Sequence, residues 1–268
     1  MKNWICLSKE GEDPFIEKFA QGCGVKPTDS DKFVYEDSSD PIVLRGILKK
    51  KIIKRCWEEN RTFYYMDTGY FGNEISSKNP HGWKYWHRIV KNNLQHSNIV
   101  ERPGDRWERF RIPIKSWKKD GRKILIAKPD EKPMKFYGLD ADSWINEVIE
   151  TIKQNTDRPI EVRERAKNRI DRVAHNTLKE ALDDDVFALV TFNSNAATES
   201  ILHGIPVFTL APVNAAEPVA SKDLTKIDTP YYPDKDKIFS WASHLAYGQF
   251  HTGEFTSGQA QRMLTELW

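Results

Sequence analysis

The segment from residue 187 to 212 is the feature that most constrains the fold of this chain. It contains most of an apolar run at 186–192, a short stretch at 196–202 followed by Gly204, and a second apolar run at 205–210. Continuous apolar runs of this length are typical of strands buried on both faces, and glycine commonly follows the last residue of a helix. The pattern predicts a strand–helix–strand unit of an α/β domain.

The remainder of the second half repeats this alternation of strands and helices. Apolar residues recur there either in short continuous runs or at the spacing of one helix face. The expected elements are a strand at 123–127, a helix capped by Asp142 or Ser143, a strand at 159–163, and helices at 175–182, 237–247 and 257–267.

The first half shows the same alternation in a weaker form. Aromatic residues at 62–66 predict a strand, and apolar residues at helical spacing in 45–59 predict an amphipathic helix. The other expected elements are strands at 4–7, 32–35 and 85–90 and a short helix that starts at Pro14. The order strand–helix–strand–helix–strand is typical of a parallel, doubly wound sheet.

A turn-like sequence, Lys118-Lys119-Asp120-Gly121, separates the two halves. We therefore predict an α/β fold with two Rossmann-like domains, 1–120 and 121–268, that face a cleft. Ligands of open α/β sheets bind beyond the carboxyl ends of the strands, so the residues that follow each strand are the candidate site.

Charge, cysteine content and the length of apolar runs indicate the kind of partner and the compartment of this protein. Residues 1–120 carry 23 Lys and Arg against 17 Asp and Glu, whereas residues 121–268 carry 18 against 22. A basic half suits a polyanionic partner, although chance clustering of solvated charge explains it equally well. The three cysteines form no CxxC pair, which predicts a reducing, cytoplasmic compartment. No apolar run approaches the roughly 18 residues of a membrane span, so no membrane insertion is expected.

The turn Asn193-Ser194-Asn195 follows the strand at 186–192 and is the first candidate for ligand binding. The start of a helix offers unpaired N–H groups and a partial positive charge, which suit a phosphate. Either Ser194 or Asn195 would cap this helix. Glu199, about one turn further on, is placed to accept hydrogen bonds from a ribose. The alternative is ordinary capping, with Glu199 on a solvated face.

Basic residues follow the neighbouring strands of the same half. Arg163 and Arg165 come at the end of the strand at 159–163, and Lys128 follows the strand at 123–127. Arginine makes bidentate contacts with phosphate, so this set is suited to neutralise a diphosphate. A charged surface loop is the alternative interpretation.

In the first half, Asp67 follows an aromatic strand and precedes Thr68-Gly69. A carboxylate at this position is suited to act as a general base toward an acceptor hydroxyl. An Asx-turn residue that starts the loop is the alternative. Glu10 and Glu12, in the loop after the first strand, are rivals for the role of base.

Two basic segments have the composition of a nucleic-acid surface, because lysine and arginine neutralise phosphates and aromatic rings stack on bases. Solvated helix faces and mixed packing remain alternatives. The candidate DNA-binding residues are Lys50, Lys51, Lys54, Arg106, Arg109, Arg111 and Trp117. No HxxxH or HxH pair suggests a zinc site. The chain lacks GxSxG, GxxxxGK[ST] and GxGxxG, which argues against hydrolases, P-loop kinases and dinucleotide oxidoreductases.

The run 187–208, with Ser194-Asn195-Ala196, Glu199 and Gly204-Ile205-Pro206-Val207, resembles the donor-side motif of GT-B glycosyltransferases. It is similar to capsule-polysaccharide-type and phage-encoded members, and the sequence at 65–71 resembles a cleft motif of the same group. The resemblance implies that Ser194 and Asn195 hold the diphosphate of a nucleotide sugar and that Glu199 holds the ribose. Arg163 and Arg165 resemble the basic diphosphate contacts.

Taken together, these expectations predict a metal-independent glycosyltransferase that uses a UDP-sugar as co-substrate. Residues 1–120 would form the acceptor side and residues 121–268 the donor domain. The resemblance to phage enzymes implies transfer of glucose or a pentose such as arabinose to hydroxymethylated pyrimidine in double-stranded DNA. One alternative is a glycosyltransferase for a surface polysaccharide or lipid-linked acceptor. Another is a non-catalytic nucleotide- or DNA-binding protein.

Overall fold

The protein is described by a computed structural model that covers residues 3–9, 12–74, 81–164 and 177–268. It consists of two compact units. The first contains the described residues of Met1–Glu74 together with His81–Leu94 and Gly248–Trp268, and the second contains those of Gln95–Tyr247. This division differs from the expected boundary near residue 120, because residues 95–120 belong to the second unit and the last 21 residues of the chain, 248–268, belong to the first.

The described residues form nine strands and ten α-helices, numbered here in chain order. They are β1 (Ile5–Cys6), α1 (Pro14–Cys23), β2 (Ile42–Arg45), α2 (Lys50–Glu58), β3 (Phe63–Thr68), β4 (Trp86–Lys91), α3 (Asp105–Glu108), β5 (Lys123–Ala127), α4 (Glu131–Tyr137), α5 (Ala141–Lys153), β6 (Ile160–Arg163), α6 (Leu178–Asp183), β7 (Val186–Thr191), α7 (Ala196–Leu202), β8 (Val207–Thr209), α8 (Lys235–Tyr247), β9 (Gln249–His251), α9 (Thr252–Thr256) and α10 (Gln259–Leu267).

The sheet of the first unit has the order β1-β2-β3-β4-β9. β1, β2 and β3 are parallel, as expected, whereas β4 and β9 each run antiparallel to their neighbour. The expectation of a wholly parallel sheet is therefore wrong for this unit, since β4 follows β3 without a crossover helix among the described residues. The core on one face of the sheet includes Phe19, Tyr64 and Phe255, which are almost completely buried.

The strand expected at 32–35 is also wrong. Tyr35–Asp37 forms a 3₁₀ turn, and the strand between β1 and β3 is Ile42–Arg45. Tyr35 is held outside the sheet by arginines, because Arg61 Nη1 donates to its carbonyl oxygen at 2.6 Å and Arg55 lies 4.0 Å from its ring centroid.

The sheet of the second unit has the order β6-β5-β7-β8, and all its strand pairs are parallel. Every residue of β7 is buried, as its continuous apolar sequence predicts. In this sheet β6 lies on one side of β5, and β7 lies on the other side. The point where strand order reverses therefore lies between β5 and β7, which is where open α/β sheets bind ligands.

Helix boundaries in this unit differ slightly from expectation. Asp140, rather than Asp142 or Ser143, caps α5, because its Oδ1 accepts from the Ser143 N–H at 2.8 Å. The helix expected at 175–182 begins in the structure at Leu178, with a capping box formed by Thr177 and Glu180. The α/β class is confirmed, and parallel strands are present in both sheets. The carboxyl ends of these strands form one edge in each sheet, and these two edges are the places to look for function.

Candidate functional site

The turn after β7 lies at the reversal point of the second sheet. Asn193, Ser194 and Asn195 are half-buried there, between the end of β7 and the start of α7. Ser194 Oγ accepts from the Ala196 N–H at 3.1 Å. Asn195 is the residue before α7, but its side chain makes no capping hydrogen bond. Ser194 is therefore the residue of this turn whose side chain caps the helix.

Glu199 lies on the exposed side of α7, one turn after Asn195. Its neighbours in the helix are buried: Thr198 and Ser200 are 1% and 0% exposed. An exposed Glu199 fits both the predicted ribose contact and the alternative of a solvated helix face. Its role toward a ribose stays a prediction.

The two basic positions on this edge are joined through the backbone, since the Lys128 N–H donates to the Arg163 carbonyl oxygen at 3.0 Å. The Lys128 ammonium already contacts Asp142 Oδ1 at 2.9 Å and Glu164 Oε1 at 3.0 Å. These two hydrogen bonds raise the pKa of Lys128. Two of the three N–H donors of this ammonium are therefore engaged by carboxylates, which reduces the positive charge that Lys128 can offer a phosphate. Arg165 lies outside the described residues.

Asp67 occupies the corresponding edge of the first unit, near the end of β3. Its Oδ1 accepts from the Thr68 N–H at 2.7 Å, and its Oδ2 accepts from Tyr65 Oη at 2.8 Å. The buried Arg88 contacts Oδ2 at 3.1 Å and also donates to the Thr68 carbonyl oxygen at 2.8 Å. Both carboxylate oxygens are thus engaged, while 35% of the side chain stays exposed.

The electrostatics of this edge keep Asp67 ionised. Burial acts to raise the pKa of Asp67, but the Arg88 guanidinium and the hydrogen bonds from Thr68 and Tyr65 outweigh it, so the pKa is lowered. Burial also raises the pKa of the Tyr65 hydroxyl well above its usual value. Tyr65 therefore stays neutral and donates its proton to the carboxylate.

Further polar residues surround Asp67 that the sequence did not single out. Arg45, at the end of β2, contacts Asp13 Oδ2 at 3.5 Å and lies 4.7 Å from the ring centroid of Phe15. His87, opposite Thr68 in the β3–β4 pairing, is completely buried. Burial, aided by the charge of Arg45, lowers the pKa of His87 to about 4. Four consecutive residues of β4, His87 to Val90, are buried, so no alternation of apolar and polar residues marks His87 in the sequence.

The segment after Asp67 is fixed by a buried glutamine of β9. Gln249 Oε1 accepts from the N–H groups of Tyr70 and Phe71, at 2.6 and 3.0 Å. A Cβ on Gly69 would lie 2.9 Å from the same oxygen, so only glycine fits there without displacing the amide. The backbone that follows the candidate base is therefore held by a residue about 180 positions away in sequence.

The rivals for the role of base have different positions. Glu12 is an exposed loop residue that pairs with Lys9, with 3.7 Å between its Oε1 and the lysine Nζ. Glu10 lies outside the described residues. Asp67 is therefore a stronger candidate than Glu12.

The expected DNA-binding residues fall into two groups. Lys50, Lys51 and Lys54 are exposed on α2 of the first unit, and Arg109 and Arg111 are exposed in the second unit. Arg106 corrects the expectation, because it is 6% exposed and its Nε donates to the Ala246 carbonyl oxygen at 3.1 Å.

Trp117 is likewise used within the protein. The indole is half-buried, and its Nε1 donates to the Pro233 carbonyl oxygen at 2.8 Å. Its ring also packs edge-on against Tyr232, with 5.5 Å between centroids. This packing gives Trp117 a structural role in the second unit.

Across the described ranges, no group of three or more His, Cys, Asp or Glu residues is arranged to hold a metal ion. The helices described here also include none long and apolar enough to cross a membrane.

No family model and no curated protein matches the chain. A solved structure with a similar fold is that of Thermosulfurimonas dismutans KpsC, beta Kdo 2,4 transferase. It has 12% sequence identity and a TM-score of 0.53, and the match covers 91% of this chain and 90% of that chain. A second, Thermosulfurimonas dismutans KpsC, beta Kdo 2,7 transferase, has 10% identity and a TM-score of 0.46, too low to support an argument. The first likeness shows that the chain has the fold of a known glycosyltransferase.

Proposed function

We propose that this protein is a glycosyltransferase that transfers a sugar from a nucleotide-sugar donor to a carbohydrate acceptor. The observation that carries the proposal is the fold likeness to a Kdo transferase over nine-tenths of both chains.

The donor side of the proposal rests on the second unit. The reversal point between β5 and β7 is the position at which sheets of this order hold nucleotides. The turn at Asn193–Asn195 offers backbone N–H groups and small polar side chains there, and Arg163 and Lys128 follow the adjacent strands. We assign Ser194 and Asn195 to the donor phosphate and Glu199 to the ribose.

The acceptor side rests on Asp67. In the transfer, the acceptor oxygen bonds to the anomeric carbon, the bond from that carbon to the donor phosphate oxygen breaks, and the acceptor hydroxyl gives its proton to a base. Asp67 is ionised, partly exposed and fixed in orientation by Tyr65, Thr68 and Arg88. Its lowered pKa makes it a weak base, so the proton moves to it as the acceptor oxygen forms its new bond.

A carbohydrate acceptor fits better than DNA. The similar structure is named as a transferase of the sugar Kdo. Two of the residues expected to contact DNA, Arg106 and Trp117, are used for internal packing of the second unit. We therefore propose a surface polysaccharide, and not DNA, as the acceptor.

The proposal is tested by incubating the protein with UDP-, GDP-, dTDP- and CMP-activated sugars, CMP-Kdo included. Acceptors are a panel of oligosaccharides and, separately, hydroxymethylated DNA, with products followed by mass spectrometry. We expect a mass increase of one sugar on an oligosaccharide. Transfer to DNA alone would overturn the acceptor assignment, and no transfer from any donor to any acceptor would overturn the proposal.

A further inference from the structure

A buried glutamine, Gln95, connects the turn at Asn193–Asn195 to the loop that follows β8. It is 4% exposed. Its Nε2 donates to the Asn193 carbonyl oxygen at 2.9 Å, and its Oε1 accepts from the Ala215 N–H at 2.8 Å. One amide group therefore satisfies a backbone acceptor in one loop and a backbone donor in the other.

The loop after β8 is itself anchored to the body of the second unit. The indole of the fully buried Trp241, in α8, donates to the Ala215 carbonyl oxygen at 2.7 Å. Asn214 bridges the same two loops, because its Nδ2 lies 3.4 Å from the Phe192 carbonyl oxygen and its Oδ1 accepts from the Ala216 N–H at 2.8 Å. Gln95 thus joins the turn to a loop that is itself hydrogen-bonded to α8.

We infer that Gln95 is a positioning residue for the donor: it holds the backbone of Asn193, and through it the turn that receives the nucleotide phosphate. This inference rests on the proposed function. A hydrogen-bonding group that fixes a ligand-binding turn contributes to binding because the turn does not have to be ordered when the ligand arrives. Gln95 touches no substrate atom in this account and acts only through Asn193.

The chemistry of the amide explains why glutamine is required. A glutamine offers both a donor and an acceptor at the end of its side chain, whereas a carboxylate offers only acceptors. Glutamate at position 95 would place an oxygen against the Asn193 carbonyl oxygen. Methionine has a similar length and volume, but it makes neither of the two hydrogen bonds of the Gln95 amide. Both backbone groups then lose their partner.

The test compares Gln95→Met with a matched control, Gln261→Met. Gln261 is also buried, and its Nε2 donates to the carbonyl oxygens of Phe19 and Phe255 at 2.7 and 3.0 Å, but it belongs to the first unit. Both variants lose buried hydrogen bonds of the same kind. We expect Gln95→Met to raise the donor KM by about tenfold or more, with the acceptor KM changed less than about twofold. Gln261→Met should leave the donor KM within about twofold of wild type.

Hydrogen exchange of the Ala215 amide, measured in the same variants, separates the possible failures. Faster exchange in Gln95→Met with an unchanged donor KM would overturn the inference and leave the proposed function standing. Unchanged exchange would also overturn it, since the hydrogen bond from the Ala215 N–H to Gln95 would then not hold the loop. No transfer by the wild-type protein would overturn the proposed function, and the inference with it.

Discussion

The carboxyl edges of the two sheets obtain their polar groups from different sources. In the first unit, the edge is made of charged side chains that contact each other: Asp67 with Arg88, and Arg45 with Asp13. In the second unit, the turn after β7 offers backbone groups, a hydroxyl and amides, with the charges of Lys128 and Arg163 on adjacent strands.

This difference is informative about chemistry. Charged side chains in a partly buried cluster are suited to move a proton, since their environment sets the pKa of each group. Backbone N–H groups at the start of a helix are suited to hold an anion without titrating. We therefore propose that the first edge carries the acceptor chemistry and the second edge carries donor binding.

The largest effect should follow Asp67→Asn. Loss of a general base typically lowers turnover by about 10²- to 10⁴-fold, and the donor KM should stay near the wild-type value because the second edge is intact. The control Asp183→Asn removes a carboxylate that contacts Lys179 and His203 in the second unit, and it should retain normal turnover. Steady-state kinetics with both substrates varied are the measurement. Retention of more than about a tenth of turnover by Asp67→Asn would remove Asp67 from the role of base.

A smaller effect is expected from Arg88→Met. Breaking a buried ion pair costs roughly 3–5 kcal/mol, and the partial exposure of Asp67 reduces this to about 2 kcal/mol of unfolding free energy. Without the guanidinium the pKa of Asp67 rises, so the acid limb of the rate profile should move to higher pH. Denaturant unfolding and the pH dependence of turnover provide the two measurements.

The control for Arg88→Met is Arg122→Met in the second unit. Arg122 is exposed and pairs with Asp185 at the surface, where ion pairs contribute little to stability. If both variants lose the same stability, the paired charges of the first edge are no more important than a surface ion pair. The contrast between the edges would then be wrong.

The third effect concerns acid stability. The pKa of His87 in the folded protein is about 4, below its value of about 6.5 in an unfolded chain. Between these two pH values the unfolded state binds more protons than the folded state. The free energy of unfolding is therefore unaffected by this histidine above pH 6.5 and decreases as the pH falls toward 4. The loss is at most about 3 kcal/mol for this residue.

The variant His87→Phe should flatten that pH dependence, as measured by urea unfolding from pH 4 to 7. His244 of the second unit, whose pKa burial also lowers to about 4, supplies the matched change His244→Phe. Each variant should reduce the slope of the unfolding free energy against pH. A slope equal to that of wild type in both would show that neither histidine is held neutral by the fold.

Much of the second unit could be predicted from sequence. The helix Ala196–Leu202 and the strand Lys123–Ala127 have the expected bounds, because continuous apolar runs and a following glycine are local signals. The strand Ile42–Arg45 was missed because the aromatic residues at 33–35 gave a competing strand signal, and in the structure they pack against arginines instead.

The candidate site was predictable only in part. Asp67 and the turn at Asn193–Asn195 follow strands, and that position is visible in the sequence. The residues that fix them are not, because Arg88, Gln95 and Gln249 act on backbone or side-chain groups 21 to 179 positions away. No local pattern marks such partners, since their role depends on how the sheet and loops come together.

The assignment of the donor to the second edge is tested most directly by backbone amide NMR with isotope-labelled protein. The protein is titrated with the nucleotide of whichever sugar donor it uses. We predict that the amides of Ser194, Asn195 and Ala196 shift at low concentrations of nucleotide, and that the Ser194→Ala variant weakens binding. Saturable shifts confined to the residues around Asp67, with no change at 194–196, would contradict the account.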